Sequence, residues 1–270
     1  MALTTHPPVW IMSLNILFFF LTLPLKEAKI MMSNEALNEL HRLEEISCNR
    51  NPRMWMNEQQ GVFRIATMNC AGLSAHFEDI KADERLLKAD ILLLQETSLS
   101  VNDPNDFEII SHPVKFHVKD GRGKGVSVYM KPRLVEMTHC IDDGFQIAKI
   151  SLKEFDVINV YRSCVSSKDR FCDKLTKFLD STRGSIILGD FNICGQREKS
   201  SQILKSLNHS GYTQLVKDPT HIRGRQIDHI YIEDKIKKNI VEIERHSAYY
   251  TDHDALLLTM TFQVGYSNFL

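Results

Sequence analysis

Ile186-Ile187-Leu188-Gly189-Asp190-Phe191-Asn192 decides how this chain is read: an apolar run stops at a carboxylate, and a carboxamide follows two residues later. A short apolar run bounded in this way is a buried strand. Side chains at i and i+2 of a strand leave from one face, so Asp190 and Asn192 would project together beyond the strand's end while Phe191 packs on the other side. Gly189 leaves room beside them. Two readings are open: an Asx turn, in which the pair accepts local backbone N–H groups, or one edge of a polar site. Other strand ends must separate them.

Several do carry polar residues that a core would not tolerate. Phe63 to Met68 runs into Asn69-Cys70-Ala71-Gly72, Ile91 to Leu94 into Gln95-Glu96-Thr97, and Val157 to Val160 into Tyr161-Arg162. Asp228-His229 follows Gln226-Ile227, and Asp252-His253-Asp254 follows Tyr250-Thr251. Burying several carboxylates near one another is costly unless cations or hydrogen bonds compensate them. A hard divalent cation with oxygen ligands, Mg²⁺ in the first place and Mn²⁺ as a substitute, is the natural compensation.

Periodicity predicts further strands at Phe107 to Ile110, Gly125 to Tyr129, Gln146 to Leu152, Gln226 to Ile232, Val241 to Glu244 and Ala255 to Phe262, with helices at Phe77 to Lys88, Lys168 to Leu179 and Glu198 to Asn208. Many strands with a few interspersed helices imply a mixed-sheet sandwich carrying helices on its outer faces. Gly121-Arg122-Gly123-Lys124-Gly125 lacks the spacing of a phosphate-binding P-loop and reads as a hairpin with exposed basic residues.

At 270 residues, 43% hydrophobic and 25% charged, the chain has the composition of a globular protein. The net charge is −1, and beyond residues 1–61 basic and acidic side chains balance. A nucleic-acid role therefore rests on local basic patches rather than on a global field. The six cysteines, at 48, 70, 140, 164, 172 and 194, form no CxxC pair, which suits reduced, packed thiols and an intracellular domain, nuclear or cytoplasmic.

The expected organisation is an apolar segment at 1–32, a polar linker at 33–61, a catalytic domain at 62–263 and a tail at 264–270. Val9 to Leu25 is apolar but interrupted by Ser13, Asn15, Thr22 and Pro24. It falls short of the roughly 20 residues of a spanning helix. No Lys or Arg precedes it, whereas Lys26 and Lys29 follow, which opposes a cleaved signal and would hold the downstream domain in the cytoplasm if the segment inserts. A membrane anchor and a nonfunctional extension ahead of Met31 or Met32 both remain open.

Asn69…Gly72, Leu94-Gln95-Glu96-Thr97, Asn159-Val160-Tyr161, Gly189-Asp190-Phe191-Asn192, Ile227-Asp228 and Thr251-Asp252-His253 together resemble, in order, the motifs of the endonuclease/exonuclease/phosphatase superfamily, the DNase I-like fold. The resemblance spans Val62 to Phe262. The segment from Pro219-Thr220-His221 to Ile227-Asp228-His229-Ile230-Tyr231 is similar in flavour to endonuclease domains of mobile genetic elements.

The resemblance implies a four-layer α/β/β/α sandwich of two mixed sheets and a Mg²⁺-dependent phosphodiester hydrolase acting on DNA. It implies Glu96 as principal metal ligand with Asn69 beside it and Asp252 in support. Asp190 would activate water, Asn192 would hold water or phosphate, and His253 paired with Asp228 would contact the phosphate. Tyr161 would offer its hydroxyl to the phosphate or leaving group. Arg122, Lys124, Arg162, Arg223 and Arg225 would supply phosphate contacts, with Lys119 nearby. Two departures stand out: Ala71 replaces an acid found in relatives specialised for abasic DNA, and the folded part is compact. Asp254, His229 and His221 read as local structure or substrate-side contacts, and Cys70 and Cys194 as packing. Alternatives are a phosphatase or phosphodiesterase acting on inositol phosphate, sphingomyelin or nucleotide, and a catalytically idle transposon-derived remnant. No protein partner can be inferred.

Overall fold

Two parallel strand pairs organise the chain. The computed structural model describes residues 61–262 except 104–105, 121–123, 132–135, 181, 183 and 198–200; the N-terminal apolar segment, the linker and the C-terminal tail lie outside the described residues. In chain order come β1 (Gly61–Asn69), α1 (Leu73–Ala82), α2 (Glu84–Leu87), β2 (Ile91–Gln95), β3 (Val114–Asp120), β4 (Lys124–Met130), β5 (Glu136–Asp142), β6 (Phe145–Ser151) and β7 (Asp156–Arg162). Then follow α3 (Lys168–Leu179), β8 (Ser185–Asp190), α4 (Gln202–His209), β9 (Tyr212–Gln214), β10 (Asp228–Glu233), β11 (Ile240–Ser247) and β12 (Asp254–Phe262).

The strands form two six-stranded sheets, ordered β11-β12-β1-β2-β4-β3 and β5-β6-β7-β8-β10-β9. Each sheet has one parallel pair at its centre, β1 with β2 and β7 with β8, flanked by antiparallel neighbours. Both sheets are therefore mixed. The register sets Asn69 beside Gln95 at one paired end and Tyr161 beside Asp190 at the other.

The central strands are apolar on both faces because both faces are covered. Ile65, Leu93, Val128, Val157, Leu188 and Ile230 point between the sheets and form a shared core. The alternate residues Ala66, Leu92 and Leu94 point outward against Leu73, Phe77, Ile80 and Leu86 of α1 and α2. Ile158 and Ile187 likewise meet Phe171 and Leu175 of α3 and Ile203 and Leu207 of α4. Each fully buried aliphatic side chain contributes about 1.5–3 kcal/mol. The result is the four-layer α/β/β/α sandwich.

Three differences from the periodicity have local causes. Phe107 to Ile110 is a loop, not a strand: Phe107 packs edge-on against Phe77 at 5.1 Å, Ile109 is buried and Ile110 faces solvent. The helix expected over Phe77 to Lys88 is two, because Asp83 breaks the first and caps the second, accepting from the N–H groups of Arg85 and Leu86 at 3.0 and 3.2 Å. β3, β5 and β9 were not expected; β3 and β5 lie at sheet edges, where lysines or exposed polar residues dilute the alternation. β3 and β4 on either side of the glycine-rich segment are paired, with Asp120 opposite Lys124, while residues 121–123 lie outside the described residues.

Candidate active site

The parallel pairs end at one edge of the sandwich, and there the two sheets are stitched by three side-chain bonds. Asn69 Nδ2 donates to Asp190 Oδ2 at 2.9 Å. The Tyr161 hydroxyl donates to Glu96 Oε1 at 2.7 Å. His253 Nδ1 sits 3.0 and 2.9 Å from the two oxygens of Asp228. In every case one partner belongs to the first sheet or its loops and the other to the second.

The backbone aims these groups by leaving the strands abruptly. Ala71, Glu96 and Asn192 all have positive φ, at 49°, 48° and 49°, a conformation that is strained for residues with a side chain and concentrates at functional sites. Gly189 has φ 136°, and a Cβ there would collide with the Val160 carbonyl oxygen of the neighbouring strand. Only glycine lets β8 run so close to β7.

Asp190 is fully buried. It accepts from the Asn192 backbone N–H at 2.8 Å and from Asn192 Nδ2 at 3.1 Å, so the Asx turn and the site are one structure. Burial, and then the charge of Asp228, push its carboxyl above the ordinary range; His253 and the N–H donors of Asn192 and Asn69 pull the other way. His253 shows the opposite balance. Burial lowers it, but Asp228, by charge and hydrogen bond, and then Asp190 and Asp252 raise it from 6.5 to about 9. The imidazole is thus a cation at neutral pH. Tyr161 is pushed up by burial and by Glu96 and keeps its proton.

Two threonines hold this arrangement. Thr220 Oγ1 donates to Asp228 Oδ2 at 2.6 Å and accepts from the Asp228 N–H at 3.1 Å. Thr251 Oγ1 donates to the Asn69 carbonyl at 2.9 Å and accepts from the His253 N–H at 3.3 Å. Between the sheets, Gln95 Nε2 donates to Asn159 Oδ1 at 2.6 Å and to Thr67 Oγ1 at 2.9 Å. Thr220, Thr251, Gln95 and Asn159 lie within the quoted motif segments, but the sequence assigns none of them a role.

The basic residues divide. Lys124 Nζ lies 3.9 Å from Glu96 and 5.6 Å from the centre of the Tyr161 ring, so it faces the site. Arg223 is exposed, and Arg225 approaches His221 Nε2 at 3.4 Å. Arg162, expected at a phosphate, is instead 1% exposed. Its Nε donates to the Phe191 carbonyl, one terminal nitrogen to Ser166 and the other to the Asn192 carbonyl. It clamps the 190–192 turn from inside. Arg122 lies outside the described residues, and Lys119 donates to the Asp103 carbonyl at 2.7 Å.

Asp252 is half-exposed, 3.1 Å from His221 Nε2 and 3.8 Å from His253 Nε2. His221 Nδ1 accepts from the Arg223 N–H at 3.0 Å, so its proton is on Nε2, facing Asp252. His229 is structural: it is buried, stacks on Phe191 at 4.9 Å and meets the Gln226 carbonyl at 3.2 Å. Asp254 pairs with Arg245 at 3.3 Å. Cys70 and Cys194 are buried.

A profile described as the endonuclease/exonuclease/phosphatase family matches residues 66–253, which span every strand end in the site. The chain belongs to the endonuclease/exonuclease/phosphatase family. No curated protein is similar to it in sequence. Solved structures are similar in fold. The endonuclease domain of TRAS1, a telomere-specific non-LTR retrotransposon, is 14% identical with a TM-score of 0.56, covering 75% of this chain and 100% of that one. An AP endonuclease from Archaeoglobus fulgidus is 18% identical with a TM-score of 0.60, covering 73% and 99%. The 3′ phosphatase NExo from Neisseria, bound to a product DNA hairpin, is 16% identical with a TM-score of 0.60, covering 74% and 100%. The two-sheet sandwich is thus the DNase I-like fold of this family, and the chain has the architecture of its nucleases and phosphatases.

Proposed function

We propose that this protein is a Mg²⁺- or Mn²⁺-dependent phosphodiester hydrolase that nicks DNA. The observation that carries the reading is the set of three cross-sheet pairs. They bring a buried carboxylate with a raised pKa, a cationic imidazole and a protonated phenol to one edge.

The donor chemistry fits a hard cation. Both oxygens of Asp190 and of Asp228 are engaged by N–H or O–H donors, whereas the Glu96 side chain is 28% exposed and has a single short donor. Glu96 would hold the ion, with Asn69 beside it and Asp252 in support. When bound, such an ion polarises a phosphoryl oxygen and stabilises the charge developing on the leaving alkoxide. The protein groups do the rest. Asp190 takes a proton from the attacking water and Asn192 fixes that water or a phosphate oxygen by hydrogen bonding. His253, kept charged by Asp228, binds the phosphate, and Tyr161 donates to it or to the leaving group. Water attacks in line, and the phosphodiester is hydrolysed without a covalent intermediate.

DNA is favoured as substrate by three things. The fold neighbours include two endonucleases and a 3′ phosphatase bound to a product DNA hairpin. Lys124 adjoins Glu96. Arg223 and Arg225 stand on the loop beside His253.

The test is incubation of the full chain with supercoiled plasmid, an abasic oligonucleotide and a panel of lipid and inositol phosphates, with Mg²⁺ or with EDTA, beside Asp190→Ala and His253→Ala. Mg²⁺-dependent nicking that EDTA and both substitutions abolish is expected. Hydrolysis of a small phosphoester without nicking would overturn the DNA assignment, and full activity in Asp190→Ala would overturn the mechanism.

A further inference from the structure

Lys124 carries its charge up to the carboxylate that would hold the ion. Its Nζ is 3.9 Å from Glu96 Oε1, and the two side chains are partly open to solvent, at 38% and 28% exposure. The same oxygen accepts from the Tyr161 hydroxyl at 2.7 Å. The ammonium also lies 5.6 Å from the centre of the Tyr161 ring, within reach of the attraction between a cation and an aromatic face. Tyr161 thus orients both partners: its hydroxyl fixes the carboxylate, and its ring seats the cation.

The backbone builds this spacing in. The Thr97 N–H donates to the Gly125 carbonyl at 3.2 Å, so the residues that follow Glu96 and Lys124 are bonded directly to each other. The partners differ in freedom, however. Glu96 leaves β2 at a φ of 48° and is held by Tyr161. Lys124, the first residue of β4, carries its charge on a flexible four-carbon stem and can move it without moving the strand. A second carboxylate is within reach. Asp120 faces Lys124 across the β3–β4 pairing, and residues directly opposite place their Cβ atoms about 4.5–5.5 Å apart on one face of a sheet. Asp120 is only 8% exposed and accepts from Gln146 Nε2 at 3.0 Å, and Gln146 is the β6 partner of Tyr161.

We propose that Lys124 is a placeholder cation: its ammonium neutralises Glu96 in the ion-free protein and must leave that carboxylate when a divalent cation binds. This rests on the reading of Glu96 as metal ligand and adds regulation to it. The placeholder makes the ion-free site tolerable and sets a threshold for loading it. Repulsion between a single and a double positive charge about 5 Å apart is at least about a tenfold effect on binding, even at the dielectric constant of water. A displaced ammonium can turn towards Asp120 or towards a phosphate oxygen, the contact that the sequence leads one to expect of Lys124.

The experiment titrates Mn²⁺ into the full chain without DNA and reads the free ion from its electron paramagnetic resonance signal, so turnover does not enter. Lys124→Met keeps the stem beside the Tyr161 ring and removes the charge; it should bind Mn²⁺ at least about tenfold more tightly than wild type. Lys124→Gln is a second neutral variant that should tighten binding likewise, and Lys124→Arg, which keeps the charge, should stay near wild type. Glu96→Gln should bind Mn²⁺ more weakly, and adding Lys124→Met to it should recover little, because the two substitutions remove the same contact. Wild-type affinity in both neutral variants would overturn the placeholder. So would an equal tightening in the Glu96→Gln background, which would mark a general charge effect rather than competition for one carboxylate. Glu96→Gln that binds Mn²⁺ as tightly as wild type would take the ion away from Glu96, and the functional reading beneath the proposal would fail with it.

Discussion

Asp228→Asn is the most informative single change, because it is nearly isosteric and removes one charge, which holds His253 up and also raises Asp190. The Asn oxygen can still accept from His253 Nδ1, and its amide can turn to Thr220 Oγ1, so the loop geometry should survive. What disappears is the charge that outweighs burial. His253 should fall from about 9, since burial is then opposed only by the charges of Asp190 and Asp252. At pH 7 its charged fraction, ~99% in the wild type, would drop. Hydrolysis should then lose its alkaline limb near pH 9 and show a new one at lower pH. Stability carries the same signature. The folded-state value lies above the unfolded one, so the pair's contribution is complete below pH ~6.5 and fades as pH rises through about 9. A rise from 6.5 to about 9 corresponds to ~3 kcal/mol, which for a domain of this size is ~6–12 °C in melting temperature. Thermal melts of both proteins should therefore diverge at pH 6 and converge above pH 9, while nicking rates measured from pH 5.5 to 10 trace the catalytic limb. An Asp228→Asn enzyme whose alkaline limb stays at the wild-type pH would refute the assignment of that limb to His253.

Other substitutions test other parts. Asp190→Asn should abolish nicking, and because burial raises the wild-type carboxyl, its melting temperature relative to wild type should climb as pH is raised from 5 to 8; a flat difference would contradict the raised pKa. Tyr161→Phe removes the 2.7 Å donor to Glu96 and should lower kcat on the order of 100-fold with little change in the denaturation midpoint. Arg162→Met leaves the buried carbonyls of Phe191 and Asn192 without their donor, a loss of ~3 kcal/mol or more that urea unfolding would register. A variant as stable as wild type would show that the clamp is dispensable.

The architecture was legible because central strands buried on two faces are nearly continuous apolar runs, and Ile91 to Leu94 and Ile186 to Leu188 announce themselves. Edge strands were not, since β5 shows solvent most of its residues and carries no pattern. The acidic and histidine members of the site were visible as polar residues at apolar strand ends. Their supports were hidden, because Thr220 and Thr251 look like any loop threonine until a carboxylate or carbonyl is seen beside them. Arg162 misled for a related reason. An arginine next to a site tyrosine suggests phosphate, and only the inward course of β7 shows that its guanidinium is occupied by backbone carbonyls.

Each cross-sheet pair in the site is a short bond whose two ends are carried by different sheets, so the gap between the sheets is the ruler by which the site is measured. That ruler is the shared core, made of residues such as Leu93 and Leu188 that touch no substrate. Closely packed interiors transmit strain rather than absorb it. A methylene removed from that layer would therefore be felt as a misplaced Glu96–Tyr161 or Asn69–Asp190 pair, and turnover would report the thickness of the protein's interior before unfolding did.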